Sequence, residues 1–343
     1  MSKIKPSKGA PYARILGVGG YRPTRVVPNE VILEKIDSSD EWIRSRSGIA
    51  TRHWASPEET VAAMSVEASG KAIADAGIRP EQIGAVVVST VSHFHQTPAI
   101  ATEIADRIGA GKPAAFDISA GCAGFGYGLT LAKGMIVEGS AEYVLVIGVE
   151  RLSDLTDLED RATAFLFGDG AGAVVVGPSD EPHIGPTVWG SEGDKATTIK
   201  QTVPWDAFHG GDVSNLPLDS QGAIKFPAIT QEGQAVFRWA VFEMAKVAQQ
   251  ALDAAGITAD DLDVFIPHQA NMRIIDSMVK TLKLPEHVTV ARDVETTGNT
   301  SAASIPLAME RLLATGKAKS GDTALVIGFG AGLVYAATVV TLP

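Results

Sequence analysis

Apolar residues in this chain gather into short continuous runs: AVVVST at 85–90, VLVIG at 144–148, AVVVG at 173–177 and ALVIG at 324–328. An alternating apolar and polar strand keeps one face in water; an unbroken run is apolar on both faces and needs cover on each. The segments between the runs carry a helical period. In 231–255, Val236, Phe237, Ala240, Val241, Met244, Val247, Ala248, Ala251 and Leu252 recur at mixed three and four spacing, the signature of a packed helix face. The pattern predicts an α/β protein whose sheets are covered on both faces by helices.

The pattern also repeats. Residues 72–87 read AIADAGIRPEQIGAVV and residues 251–266 read ALDAAGITADDLDVFI. Each is a helix end, an Ala-Gly-Ile stop, a short acidic turn and a β-rich run. Gly77 and Gly256 stand where a helix-terminating glycine belongs, 179 residues apart (256 − 77). VLVIG and ALVIG are offset by 180 (324 − 144). Helix–turn–strand units look alike in many α/β proteins, which accounts for either match alone but not for the shared offset. Two similar halves are expected, roughly 1–180 and 181–343, with 181–229, rich in Gly, Pro and polar residues, as a loop-rich link.

Composition narrows the function. Hydrophobic residues make up 45% and charged residues 20% of 343, an ordinary globular balance with material for about two domains. The formal net charge of −11 argues against general binding to nucleic acid or anionic membranes, although a local basic patch can still recruit an acidic partner. The start, MSKIKPSKGAPYARI, is basic with no apolar run behind it, unlike a secretory signal. No stretch approaches the ~18 consecutive apolar residues of a membrane span. The single cysteine excludes an intramolecular disulfide and a multi-cysteine metal site. The expectation is a soluble, cytoplasmic protein with no metal.

That cysteine, Cys122, lies in DISAGCAGFGYGLTLAKGMIVEG, where a strand end at 117–120 meets a helical pattern through Phe125, Leu129, Leu131 and Ile136. A helix N-terminus favours thiolate through its dipole and free N–H groups. The placement by itself fits an inert buried cysteine equally well. His268, in VFIPHQANMR, follows a second-half strand at 264–266, the end of a strand where α/β folds place their sites. Asn299, in TTGNTSAASIP, lies in a turn before an expected helix Ala302–Leu313. The glycine runs GDGAGA at 168–173 and GFGAG at 328–332 are not dinucleotide fingerprints, because that motif must open a helix and both precede apolar strand runs. This disfavours a nicotinamide-dependent oxidoreductase. His93-x-His95 has metal-ligand spacing without a third ligand nearby, so two loop histidines are the better reading.

Six ordered segments, SSDEWIRSRSGIATRH (38–53), SAGCAGF (119–125), DRATAFLFGDGAGA (160–173), PHQANMR (267–273), GNTSAASIP (298–306) and GFGAG (328–332), resemble the β-ketoacyl-acyl carrier protein synthase III family over nearly the whole chain. The resemblance implies a thiolase-like α/β fold of two duplicated halves in five αβαβα layers. It implies a Cys-His-Asn triad of Cys122, His268 and Asn299, which transfers the acyl group of an acyl-coenzyme A to Cys122 and condenses it with decarboxylated malonyl-acyl carrier protein. It places the oxyanion on the backbone N–H groups of Cys122 and Ala331, where the family usually has glycine. It implies coenzyme A contacts at Trp42, Arg46, Arg161 and Asn271, and a basic carrier-docking surface at Arg238, Arg273 and Lys280. Coenzyme A is then a substrate carrier, and no cofactor is required. The family is homodimeric, and the residue matching Thr97, often phenylalanine, enters the partner's acyl pocket; threonine there implies room for longer or branched primers.

Other members of the fold fit less well. A thiolase needs a second catalytic cysteine, elongating ketosynthases use Cys-His-His, and chalcone-type synthases share the triad but not its surroundings. A starter-unit ketosynthase or acyltransferase of a polyketide pathway keeps every motif and stands as the alternative. An intact triad disfavours a binding or scaffold protein.

Overall fold

The structure, a computed structural model, describes residues 4–209 and 215–343. The apolar runs lie in two five-stranded sheets. The first contains β1 (Tyr12–Tyr21), β2 (Ile83–Ser89), β3 (Ala114–Ile118), β4 (Tyr143–Arg151) and β5 (Asp169–Ser179), ordered β1-β5-β4-β2-β3. The second contains β6 (Val188–Gly190), β7 (Val264–Pro267), β8 (Thr289–Val290), β9 (Thr323–Gly330) and β10 (Val334–Thr341), ordered β6-β10-β9-β7-β8. Each strand of the first sheet has its counterpart five numbers later. The pairings match too: β1·β5 and β5·β4 are antiparallel, as are β6·β10 and β10·β9, while β4·β2 and β2·β3 are parallel, as are β9·β7 and β7·β8.

Six helices repeat in the same way. Outside the first sheet lie α2 (Val61–Asp75) and α3 (Ile100–Arg107), and outside the second lie α5 (Gly233–Ala255) and α6 (Met272–Leu282). Between the sheets run α4 (Gly124–Glu138) and α7 (Ser304–Ala314). Three buried clusters define the layers. Val61, Met64 and Ile104 pack on Val86, Val88, Leu145 and Ile147. Phe125, Leu129, Ile305 and Met309 fill the middle against Val87, Val146, Ile266 and Val326. Met244, Leu252 and Met278 cover Phe265, Leu325 and Ile327. Alternate residues of one strand therefore serve opposite clusters, which is why the strands are continuously apolar. The layers are αβαβα, as expected. A further helix, α1 (Asp40–Ser47), lies outside the repeat.

The repeated stop signals do the same work in both halves. Gly77 and Gly256 adopt left-handed φ of 65° and 72°, and the residue after each donates back into the helix, Ile78 N to Ile73 O at 3.4 Å and Ile257 N to Leu252 O at 3.1 Å. Boundaries differ from expectation at the two turns that matter most. Cys122 lies in a 3₁₀ turn, Gly121–Ala123, and α4 begins at Gly124; likewise 3₁₀ turn Ser301–Ala303 precedes α7, which begins at Ser304 rather than Ala302. Two glycines of GDGAGA, Gly170 and Gly172, lie inside β5 rather than before it, and Gly168 just precedes it. A methyl group on Gly172 would stand 2.7 Å from the Pro306 ring, so glycine lets the strand lie directly on α7. The expected link at 181–229 holds β6 and the first strand of a short hairpin, 199–201 with 229–231.

Candidate active site

The turns before α4 and α7 face one another at the centre of the molecule. Cys122 enters from the first half, recessed at the floor of a cavity of about 880 Å³ that His268 and Asn299 also line. A left-handed φ of 47° at Gly121 turns the chain there. The closeness of the far strand end depends on Gly330, where a methyl group would lie 2.8 Å from the Cys122 nitrogen and 3.0 Å from its sulfur. A methyl on Gly121 would likewise lie 3.3 Å from the Ala331 nitrogen. The backbone nitrogens of Cys122 and Ala331 are thus neighbours. Burial pushes the Cys122 thiol up to about 12, opposed by the Ser301 hydroxyl; the N-terminus of α4 also favours the anion. At neutral pH the group is a thiol whose proton must leave as it reacts.

His268 follows β7, its backbone N–H donating to Ile327 O at 2.7 Å, and its side chain is 2% exposed. The imidazole Nδ1 lies 2.7 Å from Ser304 Oγ, which also accepts from the Gln269 N–H at 3.3 Å. Among the described residues Nδ1 is the one acceptor in contact with the serine hydroxyl, and a serine proton directed at it places the ring proton on Nε2. Burial drives the imidazole down to about 3, so it is neutral at any ordinary pH. The Phe329 ring stands edge-on to it, with centroids 5.3 Å apart. Asn299 is held by Gly168 N donating to its O (3.0 Å) and its own N donating to Leu166 O (2.8 Å). Ser301 N–H donates to its Oδ1 at 2.8 Å, which fixes the amide and leaves Nδ2 as a donor. The site thus presents a thiol, two fixed N–H donors and two adjacent backbone nitrogens, the parts needed for acyl transfer and for stabilising charge on a thioester oxygen.

Of the four coenzyme A candidates, Trp42, Arg46 and Asn271 line the cavity, and Arg161 packs over Trp42. Trp42 lies on α1, with the Arg161 guanidinium carbon 5.2 Å and that of Arg46 5.9 Å from its ring centre, and Phe165 packed on its edge at 5.5 Å. Asn271 caps α6 by accepting from Arg273 N at 2.8 Å and donates Nδ2 to Arg46 O at 3.0 Å, so it also ties α6 to the end of α1. Of the three docking candidates, Arg238 and Arg273 line the cavity; Arg273 stacks over Phe237 at 4.9 Å. Lys280 lies two turns further along α6, exposed, outside the cavity lining. Thr97 is exposed and does not line the cavity of its own chain. His93 and His95 pack ring to ring at 5.6 Å, and among the described residues no group of three or more His, Cys, Asp or Glu is placed to hold a metal.

Sequence reading missed Ser301, Ser304, Phe329 and Glu150. The two serines sit inside the quoted GNTSAASIP, but nothing in the string says which hydroxyl faces which partner. Glu150 is an ordinary acid at a strand end until the fold buries it completely.

The chain matches the family model "3-Oxoacyl-[acyl-carrier-protein (ACP)] synthase III" over residues 116–193 and its C-terminal counterpart over 252–342. It is 91% identical to beta-ketoacyl-[acyl-carrier-protein] synthase III 1 of Streptomyces coelicolor, with all of both chains covered. It is 53% identical to the mycobacterial beta-ketoacyl-[acyl-carrier-protein] synthase III of Mycobacterium marinum, covering 100% of this chain and 99% of the relative. Among solved structures, the priming beta-ketosynthase of the R1128 polyketide pathway superposes with a TM-score of 0.93 at 45% identity, covering 100% and 99%. The 3-oxoacyl-[acyl-carrier-protein] synthase III of Aquifex aeolicus gives 0.84 at 36% identity, covering 96% and 99%.

Proposed function

Because the chain belongs to the 3-oxoacyl-[acyl-carrier-protein] synthase III family, we propose that it condenses an acyl group from coenzyme A with malonyl-acyl carrier protein through an acyl thioester on Cys122. It is a transferase of the ketosynthase class and starts fatty acid synthesis. The observation that carries the residue assignment is the convergence of Cys122, His268 and Asn299 on one cavity, from both halves of the fold. The Cys122 sulfur attacks the acyl thioester and coenzyme A leaves. Malonyl carrier then enters; His268 Nε2–H and Asn299 Nδ2–H donate to its thioester oxygen as carbon dioxide departs and enolate charge grows there. Donors already fixed in place lower such a barrier without reorganising. The carbanion attacks the acyl-Cys122 carbonyl, and the N–H groups of Cys122 and Ala331 receive the oxyanion.

Trp42 and Arg161 take the two faces of the adenine. Two ring contacts at ~3.5 Å each need about 7 Å, so Arg161 moves away from Trp42 by roughly 2 Å on binding. Arg46 serves the phosphates and Asn271 the pantetheine through its remaining Nδ2 proton. Arg238, Arg273 and Lys280 dock the acidic carrier at the mouth. The enzyme works as a cytoplasmic homodimer without a cofactor; among the described residues no helix is long and apolar enough to cross a membrane. In support of a second copy, β3 is an edge strand with half-buried residues. In the loop after β2, Phe94 packs with Trp205 and Phe226 in an exposed aromatic cluster. Thr97, also exposed, reaches the partner's pocket and admits branched primers.

Mass spectrometry tests the core of this reading. Incubation with acyl-coenzyme A should add one acyl mass to the protein, and Cys122→Ser should take up none; absence of an adduct with every primer refutes it. Turnover of isobutyryl- and isovaleryl-coenzyme A far below that of acetyl-coenzyme A would refute the branched pocket. The similarity to a polyketide priming enzyme supports a second reading, in which the product feeds a polyketide; comparing kcat/KM with the two kinds of malonyl carrier separates them.

A further inference from the structure

The two halves place equivalent residues against one another across the site. Gly328, near the end of β9, packs on the turn before α4: a methyl there would lie 2.8 Å from Cys122 O and 3.0 Å from Ala123 Cα. Gly148, 180 residues earlier (328 − 148), packs in the same way on the turn before α7, at 2.2 Å from Ala302 O and 3.0 Å from Ala303 N. Two residues on, Gly330 meets Cys122. Its counterpart is Glu150, at the end of β4, facing the turn that begins at Ser301. The turns are equivalent in detail: φ is 47° at Gly121 and 48° at Ser301. A left-handed residue is unstrained as glycine, whereas serine there costs on the order of 1 kcal/mol. The second half carries a serine where the first carries glycine.

That serine lies between the half-buried Cys122, with which it lines the cavity, and the fully buried Glu150. Its hydroxyl acts on both the Cys122 thiol and the Glu150 carboxyl, favouring the ionised form of each. The carboxyl is otherwise cradled by the turn after β2: Ser92 Oγ donates to it at 2.6 Å, Val91 N–H at 3.1 Å and Thr90 Oγ1 at 3.3 Å. Among the described residues no cation pairs with it. Arg151, next on the strand, is engaged by Asp154 at 2.9 Å. His268, which also lines the cavity, is neutral, with its Nδ1 engaged by Ser304 Oγ and its Nε2 bearing the ring proton. Burial lifts Glu150 to about 7, where a proton acceptor works best near neutral pH.

We propose that Glu150 is a positioning residue that accepts, through the Ser301 hydroxyl, the proton the Cys122 thiol loses on acylation. The inference rests on the reading of Cys122 as the acylated residue. As the sulfur–carbonyl bond forms, the thiol proton passes to Ser301 Oγ and the serine's proton passes to Glu150. The carbonyl–sulfur bond to coenzyme A breaks with its electron pair on the departing sulfur, which takes a proton from water. When condensation later expels Cys122 as thiolate, Glu150 returns the stored proton by the same route. The cycle then consumes one proton from solvent, as decarboxylative condensation requires.

Rapid-quench mass spectrometry of Cys122 acylation between pH 5.5 and 9 tests the relay in the parent enzyme and in Glu150→Gln, Glu150→Asp and Ser301→Ala, with thermal melts as the check of folding. The parent rate should rise with pH through a limb near 7. Glu150→Gln should acylate at least tenfold more slowly without that limb, Ser301→Ala should lose the limb with Glu150 in place, and Glu150→Asp should restore part of it. A folded Glu150→Gln that keeps the limb, whether at full or reduced rate, overturns the relay and leaves Glu150 a structural acid. If Glu150→Gln does not fold, Ser301→Ala decides by the same criterion. No adduct on the parent enzyme fails the reading of Cys122 itself, and this inference with it.

Discussion

Ser304 shows how much one hydroxyl decides. By donating to His268 Nδ1 it keeps the ring proton on Nε2, so Ser304→Ala frees the imidazole to adopt the other tautomer. Decarboxylation of malonyl carrier should fall by roughly 10–100-fold, less than the ~100–1,000-fold expected for deleting such a donor outright, while acylation of Cys122 falls much less. The ¹⁵N shifts of His268 should change accordingly; unchanged shifts would count against the tautomer role. Buried acids and base also set the pH dependence of stability. The native state holds a proton on Glu150 up to about 7 and on Asp169 up to about 6, whereas the unfolded chain releases both near 4. Their contribution is therefore full at low pH and lost as pH rises through the native values. His268 has the opposite sign: held down to about 3, it costs stability as pH falls below 6.5, where the unfolded chain takes up a proton. Glu150→Gln removes the first effect, so its Tm should exceed the parent's at pH 8, with a gain of roughly 3 kcal/mol at most, and converge on it near pH 4.5. A variant whose Tm difference does not change with pH would contradict this.

At the scale of elements, the approach of β9 to the α4 turn is the most demanding contact in the site. Gly330 has extended backbone, so its constraint is space rather than φ. Gly330→Ala sets a methyl against the Cys122 sulfur and should abolish detectable acylation with only a modest loss of Tm, since the strand's ladder is intact; a variant that still acylates at the parent rate would show that the turn can yield. On α6, Arg273→Glu reverses a charge at the mouth and should raise KM for malonyl carrier severalfold while leaving acyl transfer from coenzyme A unchanged; an unchanged KM would move docking elsewhere. The elements themselves were legible. Continuous apolar runs gave the strands, and the Ala-Gly-Ile stops gave the helix ends, because both depend on local chemistry. Cys122 was expected to open its helix but belongs to the 3₁₀ turn before it. A glycine-rich string fits either conformation, and only the opposing strand end fixes which.

Across the whole molecule, the halves are tied by charge as well as by the central apolar layer. Arg22, beside β1, donates to Glu310 at 2.7 Å, to Leu307 O at 2.8 Å and to Asp293 at 3.3 Å, and Arg311 also bonds Asp293 at 2.6 Å. Arg22→Ala leaves nearly buried Asp293 with one partner fewer and should cost about 2 kcal/mol, measurable by denaturant unfolding, because a buried charge stripped of a partner is not solvated again. A loss below ~0.5 kcal/mol would place the ties between halves in the apolar layer alone. The sequence by itself determined the class of fold, the repeat, and which loops carry the thiol, the imidazole and the amide, since apolar period and chain order are local properties. Only the tertiary structure decided that Glu150 faces Ser301 and that Ser304 sets the imidazole tautomer. Those relations arise where two halves about 180 residues apart in sequence meet, and burial there changes what a carboxyl, a thiol and an imidazole do with a proton.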